Sequence, residues 1–215
     1  MKSLLPASVS CASCDDPLSP SAQDLRDHPR LQRMAAPRQT EFLRGRHCAK
    51  TALIQAGASD HHVRAHEDRS PIWPQGFIGS ISHTKEIAIA VAASASNLKS
   101  IGIDIERRKR VTDKLAQEIC IASELDWLSG FSTDQSHDLA TLIFSAKETI
   151  YKCLYPSVQH VFGFSAVTIL PDLDAGSFNA VLSSEIDTDY TNIQGRFCFS
   201  GQDVITSAIL TRASL

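Results

Sequence analysis

The chain has 215 residues, 43% of them hydrophobic, enough to bury a substantial core in one large domain or two small halves. Its formal net charge of -3, from 21 Lys and Arg against 24 Asp and Glu, excludes a global nucleic-acid footprint, so any basic site must be local. No apolar run approaches the roughly 18 residues needed to cross a bilayer, and the opening MKSLLPASVSCASCDDPLSP has no apolar core followed by a cleavage site; no membrane span and a cytoplasmic location are expected.

The first forty residues, rich in Pro, Ser and Asp, read as irregular structure with one edge strand around Leu4 to Val9. Cys11, Cys14, Cys48, Cys120, Cys153 and Cys198 stand in unrelated contexts and suit reduced packing thiols rather than a disulfide framework. Cys11 and Cys14 form an isolated CxxC without a second ligand pair at zinc spacing. From Thr40 to Ala56, Phe42, Ala49, Leu53 and Ile54 recur as on an amphipathic helix that Gly57 ends, and Arg44, Arg46 and Lys50 make one stretch of it basic.

Ala58 to Gly76 reads as a long loop containing His61, His62 and His66, which are expected to be surface residues. Two short strands, Ile78 to His83 and Glu86 to Ala93, then lead into a third, IGIDIE. Asp113 to Trp127 reads as one helix, followed by a break from Ser129 to Ser136. Asp138 to Leu154 is the strongest helix, stopped by Pro156. The segments VTIL, FNAVL, RFCFS and VITSAILT alternate as three or four antiparallel strands. A helix followed by strands thus occurs once in each half, an α+β pattern.

In IGIDIE the isoleucines share one strand face, which leaves Asp104 and Glu106 together on the other, about 7 Å apart by the usual rise. Alone, that is the polar face of a half-buried strand. In FSAKETIYK, Glu148 and Lys152 share a helix face beside Lys147; alone, they are a helical ion pair. Together, three carboxylates near two lysines suit a magnesium ion and a pyrophosphate, a combination that also fits nucleases and other phosphoryl-transfer enzymes. Ser82 and His83, where a strand turns back, add possible donors to a phosphate.

The blocks FLRGRHCAKTAL, DRSPIWPQGFIGSISH, IGIDIE and FSAKETIYK, in that order between Thr40 and Pro156, resemble the larger, single-chain 4'-phosphopantetheinyl transferases, particularly the bacterial subgroup serving siderophore synthesis and enterobactin. The segment before Thr40 is short for that subgroup.

The resemblance implies two similar α+β halves in pseudo-twofold arrangement, 1-97 and 98-215, with coenzyme A in the cleft between them. It implies Asp104, Glu106 and Glu148 as magnesium ligands, and Lys152 and Lys147 beside the phosphates. It places Ser82 and His83 on coenzyme A phosphates, with Arg69, Arg46 and Arg44 completing a nucleotide pocket, for which Arg forks suit phosphate oxygens. Glu148 becomes the candidate base, with Lys152 stabilising charge.

The expected partners are coenzyme A and an apo carrier protein of peptidyl, aryl or acyl type, with the nonribosomal peptide synthetases of siderophore assembly favoured. Cys120, Ile121, Leu125 and Trp127 are candidates for a carrier-facing patch and equally for the core. A monomer is expected, because two internal halves replace the separate chains of smaller relatives. A non-catalytic coenzyme A or carrier-binding module and a metal-dependent phosphohydrolase remain as alternatives.

Overall fold

In the computed structural model, which describes residues 4–212, the chain divides into two α+β units, Pro6–Lys99 and Ser100–Thr211, the latter taking in most of a strand that begins at Leu98. Among the described residues no helix is long and apolar enough to cross a membrane.

In Pro6–Lys99 a three-stranded antiparallel sheet of order β1-β5-β4 is formed by β1 (Ser10–Cys14), β4 (Phe77–His83) and β5 (Ala88–Ser94). The helix α2 (Ala36–Gln55) contributes Cys48, Ala49, Ala52 and Leu53 to a core shared with Ala88, Ala90 and Ala92 of β5. Alanines at alternate positions make that strand face flat. The same closeness requires Gly45, where a Cβ would stand 2.9 Å from the Ile81 side chain.

The N-terminal segment is more regular than its composition predicts. The edge strand lies at Ser10–Cys14 rather than Leu4 to Val9, because the alternation that puts Cys14 into the core begins there. A capped helix α1 (Ala22–Asp27) and a 3-10 turn (Pro29–Arg33) follow, and α2 begins at Ala36 instead of Thr40. Pro37 permits the earlier start, since a proline in the first helical turn loses no helical hydrogen bond. Within the expected long loop, β2 (Arg64–Ala65) and β3 (Pro71–Ile72) pair as a short ladder.

The second unit is a five-stranded sheet of order β6-β10-β9-β8-β7, built from β6 (Leu98–Arg107), β7 (Val167–Asp172), β8 (Ser177–Leu182), β9 (Asn192–Ser200) and β10 (Asp203–Thr211). All four expected C-terminal strands are present. The helix α5 (Thr133–Val158) runs for 26 residues and shares their core through Leu142, Ile143, Ile150 and Leu154. It starts inside the expected break, where Gln135 Oε1 accepts from Ser132 Oγ at 2.9 Å, and it passes through Pro156. In the last turn that proline deprives only one carbonyl of its helical partner, and Gln159 in the left-handed region ends the helix.

The single helix expected over Asp113 to Trp127 is two, α3 (Asp113–Ile119) and α4 (Ala122–Ser129). The break at Cys120 is held by side chains. Lys147 Nζ donates to the Ile119 carbonyl at 3.0 Å, and Glu124 Oε2 accepts from the Ile121 N–H at 2.9 Å.

Two contacts fix α5 against β6 and β10. Gly102 lets the Thr149 carbonyl approach so closely that a Cβ would stand 2.0 Å from its oxygen, and Ser100 Oγ donates to the Cys153 carbonyl at 2.6 Å. Buried hydroxyls complete the joint: Thr206 Oγ1 lies 2.8 Å from Ser145 Oγ and 2.6 Å from Thr149 Oγ1. These bonds satisfy buried polar atoms that would otherwise be costly, and they set which face of α5 meets β6.

Candidate functional site

Strand β6 carries Asp104, which is buried, and Glu106, whose side chain is 14% exposed. The joint just described brings Glu148 and Lys152 of α5 to them. Lys152 Nζ donates to Asp104 Oδ1 at 2.6 Å and to the Ile103 carbonyl at 3.3 Å. This bond joins helix to strand, and the Lys152 charge also acts on Glu148. Arg110 Nη1 donates to Glu106 Oε1 at 2.6 Å.

The charge of Asp104 acts on both Glu106 and Glu148, and that of Glu148 acts on Glu106. Burial, then the Asp104 and Glu148 charges, push the Glu106 carboxyl up to about 8, against the opposing effect of Arg110 and Lys152. Glu148 is also raised, first by burial and then by Asp104, while Lys152 and Arg110 pull it down.

A carboxyl raised in the fold binds a proton there that the unfolded chain has released. Glu106 therefore contributes stability that is complete below its ordinary value of 4.5 and is lost as pH rises through about 8. Melting temperature measured in a chelator is expected to fall from pH 6 to pH 9, with a shallower slope for Glu106→Gln. An unchanged slope in that variant would remove Glu106 as the cause.

Among the described residues no three His, Cys, Asp or Glu side chains already converge as a metal-binding group. The donor set nevertheless fits a hard cation in kind: three carboxylates, oxygen only, with their charge now met by Lys152 and Arg110.

Lys147 does not join them. It is buried, and its ammonium is held by Glu124 Oε2 at 2.7 Å and by the Ile119 and Phe164 carbonyls at 3.0 Å each. The expectation that it meets a phosphate is corrected: position 147 points away from the face of Glu148, into the core. Its partner Glu124, missed in the sequence, also accepts from the Ile169 N–H at 2.8 Å.

Phe144, Tyr151 and Tyr155 were missed as well. They share the Glu148 face of α5 at spacings of four, three and four, all half-buried, and Phe162 packs on Tyr151 at 5.2 Å. Of the expected carrier-facing residues, Cys120 is buried, while Leu125 and Trp127 are half-buried and pack on the core of this unit.

In Pro6–Lys99, Arg44 and Arg46 are two residues apart and lie on opposite flanks of α2. The Arg44 guanidinium is bonded to the Asp16 carbonyl at 2.7 Å and the Lys85 carbonyl at 2.9 Å.

Arg46 lines a pocket of about 490 Å3 with His28, His47, Lys50, His61 and Arg64. Its Nε and Nη1 are buried without a hydrogen-bond partner, its guanidinium lies 4.8 Å from the Phe42 ring centre, and burial lowers its pKa to about 10. Uncompensated buried donors in a basic pocket suit an anion. His61 and His62, expected as plain surface residues, line this pocket too.

Ser82 and His83 point to opposite faces of β4, as neighbours on a strand must; Ser82 is buried, and His83 Nε2 lies 2.7 Å from Arg38 Nη1. Arg38, also bonded to Glu41 at 2.9 Å, was not foreseen. Arg69 is exposed at φ 76°, in the turn between β2 and β3.

Comparison with known proteins gives a consistent picture. Residues 26–93 match the model of the 4'-phosphopantetheinyl transferase N-terminal domain, and residues 100–207 match that of the 4'-phosphopantetheinyl transferase superfamily. The chain is 31% identical to 4'-phosphopantetheinyl transferase Npt of Nocardia iowensis, over 82% of this chain and 79% of that protein. It is 32% identical to 4'-phosphopantetheinyl transferase Svp of Streptomyces mobaraensis, over 78% and 68%. Against enterobactin synthase component D of Salmonella typhi the identity is 33%, over 75% and 63%. Among solved structures, the holo-[acyl-carrier-protein] synthase of Thermotoga maritima matches with a TM-score of 0.42 and 19% identity, over 51% of this chain and 61% of that one.

Proposed function

The chain belongs to the 4'-phosphopantetheinyl transferase superfamily, enzymes that transfer phosphopantetheine from coenzyme A to carrier proteins, and from that premise we propose how its own residues do so. Asp104, Glu106 and Glu148 hold Mg2+, which when bound neutralises the pyrophosphate of coenzyme A. Glu148 accepts the proton of the carrier serine hydroxyl as that oxygen attacks the phosphorus bearing the pantetheine. The bond from this phosphorus to the bridging oxygen breaks, and adenosine 3',5'-bisphosphate leaves. Lys152, beside Asp104, stabilises charge developing on the phosphate oxygens.

Ser82 and His83 are assigned to the phosphates of coenzyme A, and Arg69, Arg46 and Arg44 to its nucleotide or 3'-phosphate. The observation that carries the reading is the gathering of Asp104, Glu106, Glu148 and Lys152 by β6 and α5, with both glutamates raised by burial and by the Asp104 charge. A base whose pKa is raised holds the abstracted proton more firmly than an ordinary carboxylate.

The favoured carriers are those of nonribosomal peptide synthetases, including siderophore assembly, and the enzyme acts as a monomer in the cytoplasm. Incubation with coenzyme A, Mg2+ and a panel of apo carriers is expected to add the mass of one phosphopantetheine to the carrier, fastest for peptidyl carriers. Adenosine 3',5'-bisphosphate released without any carrier would show a hydrolase instead, and neither product would show a binding module. Equal rates on fatty-acid and peptidyl carriers would remove the pathway preference.

A further inference from the structure

The carboxylates of β6 are held by cations that the chain itself supplies. Of the run Arg107–Arg110, three members are bonded elsewhere: Arg107 faces Asp203 at 3.9 Å, Arg108 pairs with Asp138, and Lys109 pairs with Asp134 at 2.6 Å. Arg110 alone turns back. Lys109, at φ 59°, reverses the backbone, and Arg110 Nη1 meets Glu106 Oε1 at 2.6 Å with its guanidinium 4.8 Å from the Phe144 ring centre.

The Arg110 side chain is 47% exposed, whereas the next residue is fixed, since Val111 is buried and its N–H donates to Thr141 Oγ1 at 3.1 Å. The guanidinium can therefore leave Glu106 along the Phe144 ring with no movement of the backbone.

We propose that Arg110 is a resident counter-charge for Glu106 that a divalent cation must displace, so that Arg110 sets the metal affinity of the carboxylate cluster. The proposal rests on the assignment of Asp104, Glu106 and Glu148 as cation ligands. Guanidinium and metal would compete for the Glu106 carboxylate, and the fixed positive charge would also repel the incoming ion. Arg110 is a positioning residue, acting through Glu106 without itself touching the reacting atoms.

The test is a Mn2+ titration of the whole chain, following the electron paramagnetic resonance signal of free Mn2+ at pH 8.5 under argon. Arg110→Met keeps an unbranched stem over Phe144 and removes the charge. It is expected to bind Mn2+ about two- to five-fold more tightly than the wild type, the range that a part-exposed ion pair allows, and Arg110→Lys is expected to stay near the wild type. Mn2+ binding that Glu106→Gln abolishes secures the metal assignment independently. Equal or weaker binding by Arg110→Met would then overturn the Arg110 proposal alone, and absence of Mn2+ binding in every protein would overturn both.

Discussion

Glu148→Gln is expected to lower the rate of carrier modification by about 10²- to 10⁴-fold, the usual contribution of a positioned general base, with the fold intact. The side chain is half-buried on the open face of α5, and Gln fills the same volume, so the change removes charge and basicity without leaving a void. Burial raises its carboxyl by penalising the charged form, so a neutral amide at this position does not destabilise the fold. Circular dichroism and urea unfolding should therefore match the wild type while the carrier mass shift disappears. Near-normal turnover would remove Glu148 as the base and leave it as a metal ligand at most.

Lys147→Met should act in the opposite way, on stability first. Its ammonium meets the buried carboxylate of Glu124 at 2.7 Å, and breaking a buried pair by removing one member costs about 3–5 kcal/mol. Two backbone carbonyls, of Ile119 and Phe164, lose their donor as well. Lys147→Met/Glu124→Gln should recover part of the deficit, because it removes the stranded charge together with its partner. A variant of wild-type stability that instead raises the KM for coenzyme A would restore Lys147 to the phosphate site, against the geometry seen here.

These two neighbours show where sequence reading reached its limit. Lys147 and Glu148 are adjacent, and both belong to the block FSAKETIYK that carries the family resemblance. Nothing local distinguishes their roles. A helix turns about 100° per residue, so one of two neighbours can face the carboxylate strand while the other enters the core, and which does so depends on how α5 is rotated against its sheet. The hydroxyls of Ser145, Thr149 and Thr206 and the bare Cα of Gly102 set that rotation. Arg44 and Arg46 repeat the lesson on α2, where one clasps two loop carbonyls and the other opens into a pocket.

Periodicity found the main strands and the two principal helices because their buried faces recur at 2.0 and 3.6 residues. It misjudged the segments whose structure depends on partners distant in sequence. The α3 to α4 break needs Lys147 and Glu124, and the passage of α5 through Pro156 costs only one terminal bond.

The sequence by itself determined the α+β class, the strand that presents Asp104 and Glu106, and, through its ordered motifs, the transferase family. Only the tertiary structure decided which cation meets each carboxylate, which arginine lines the basic pocket, and that Lys147 holds the core. Those outcomes follow from the setting of helices against sheets, and that setting is fixed by contacts between residues about 50 positions apart, beyond the reach of any local pattern.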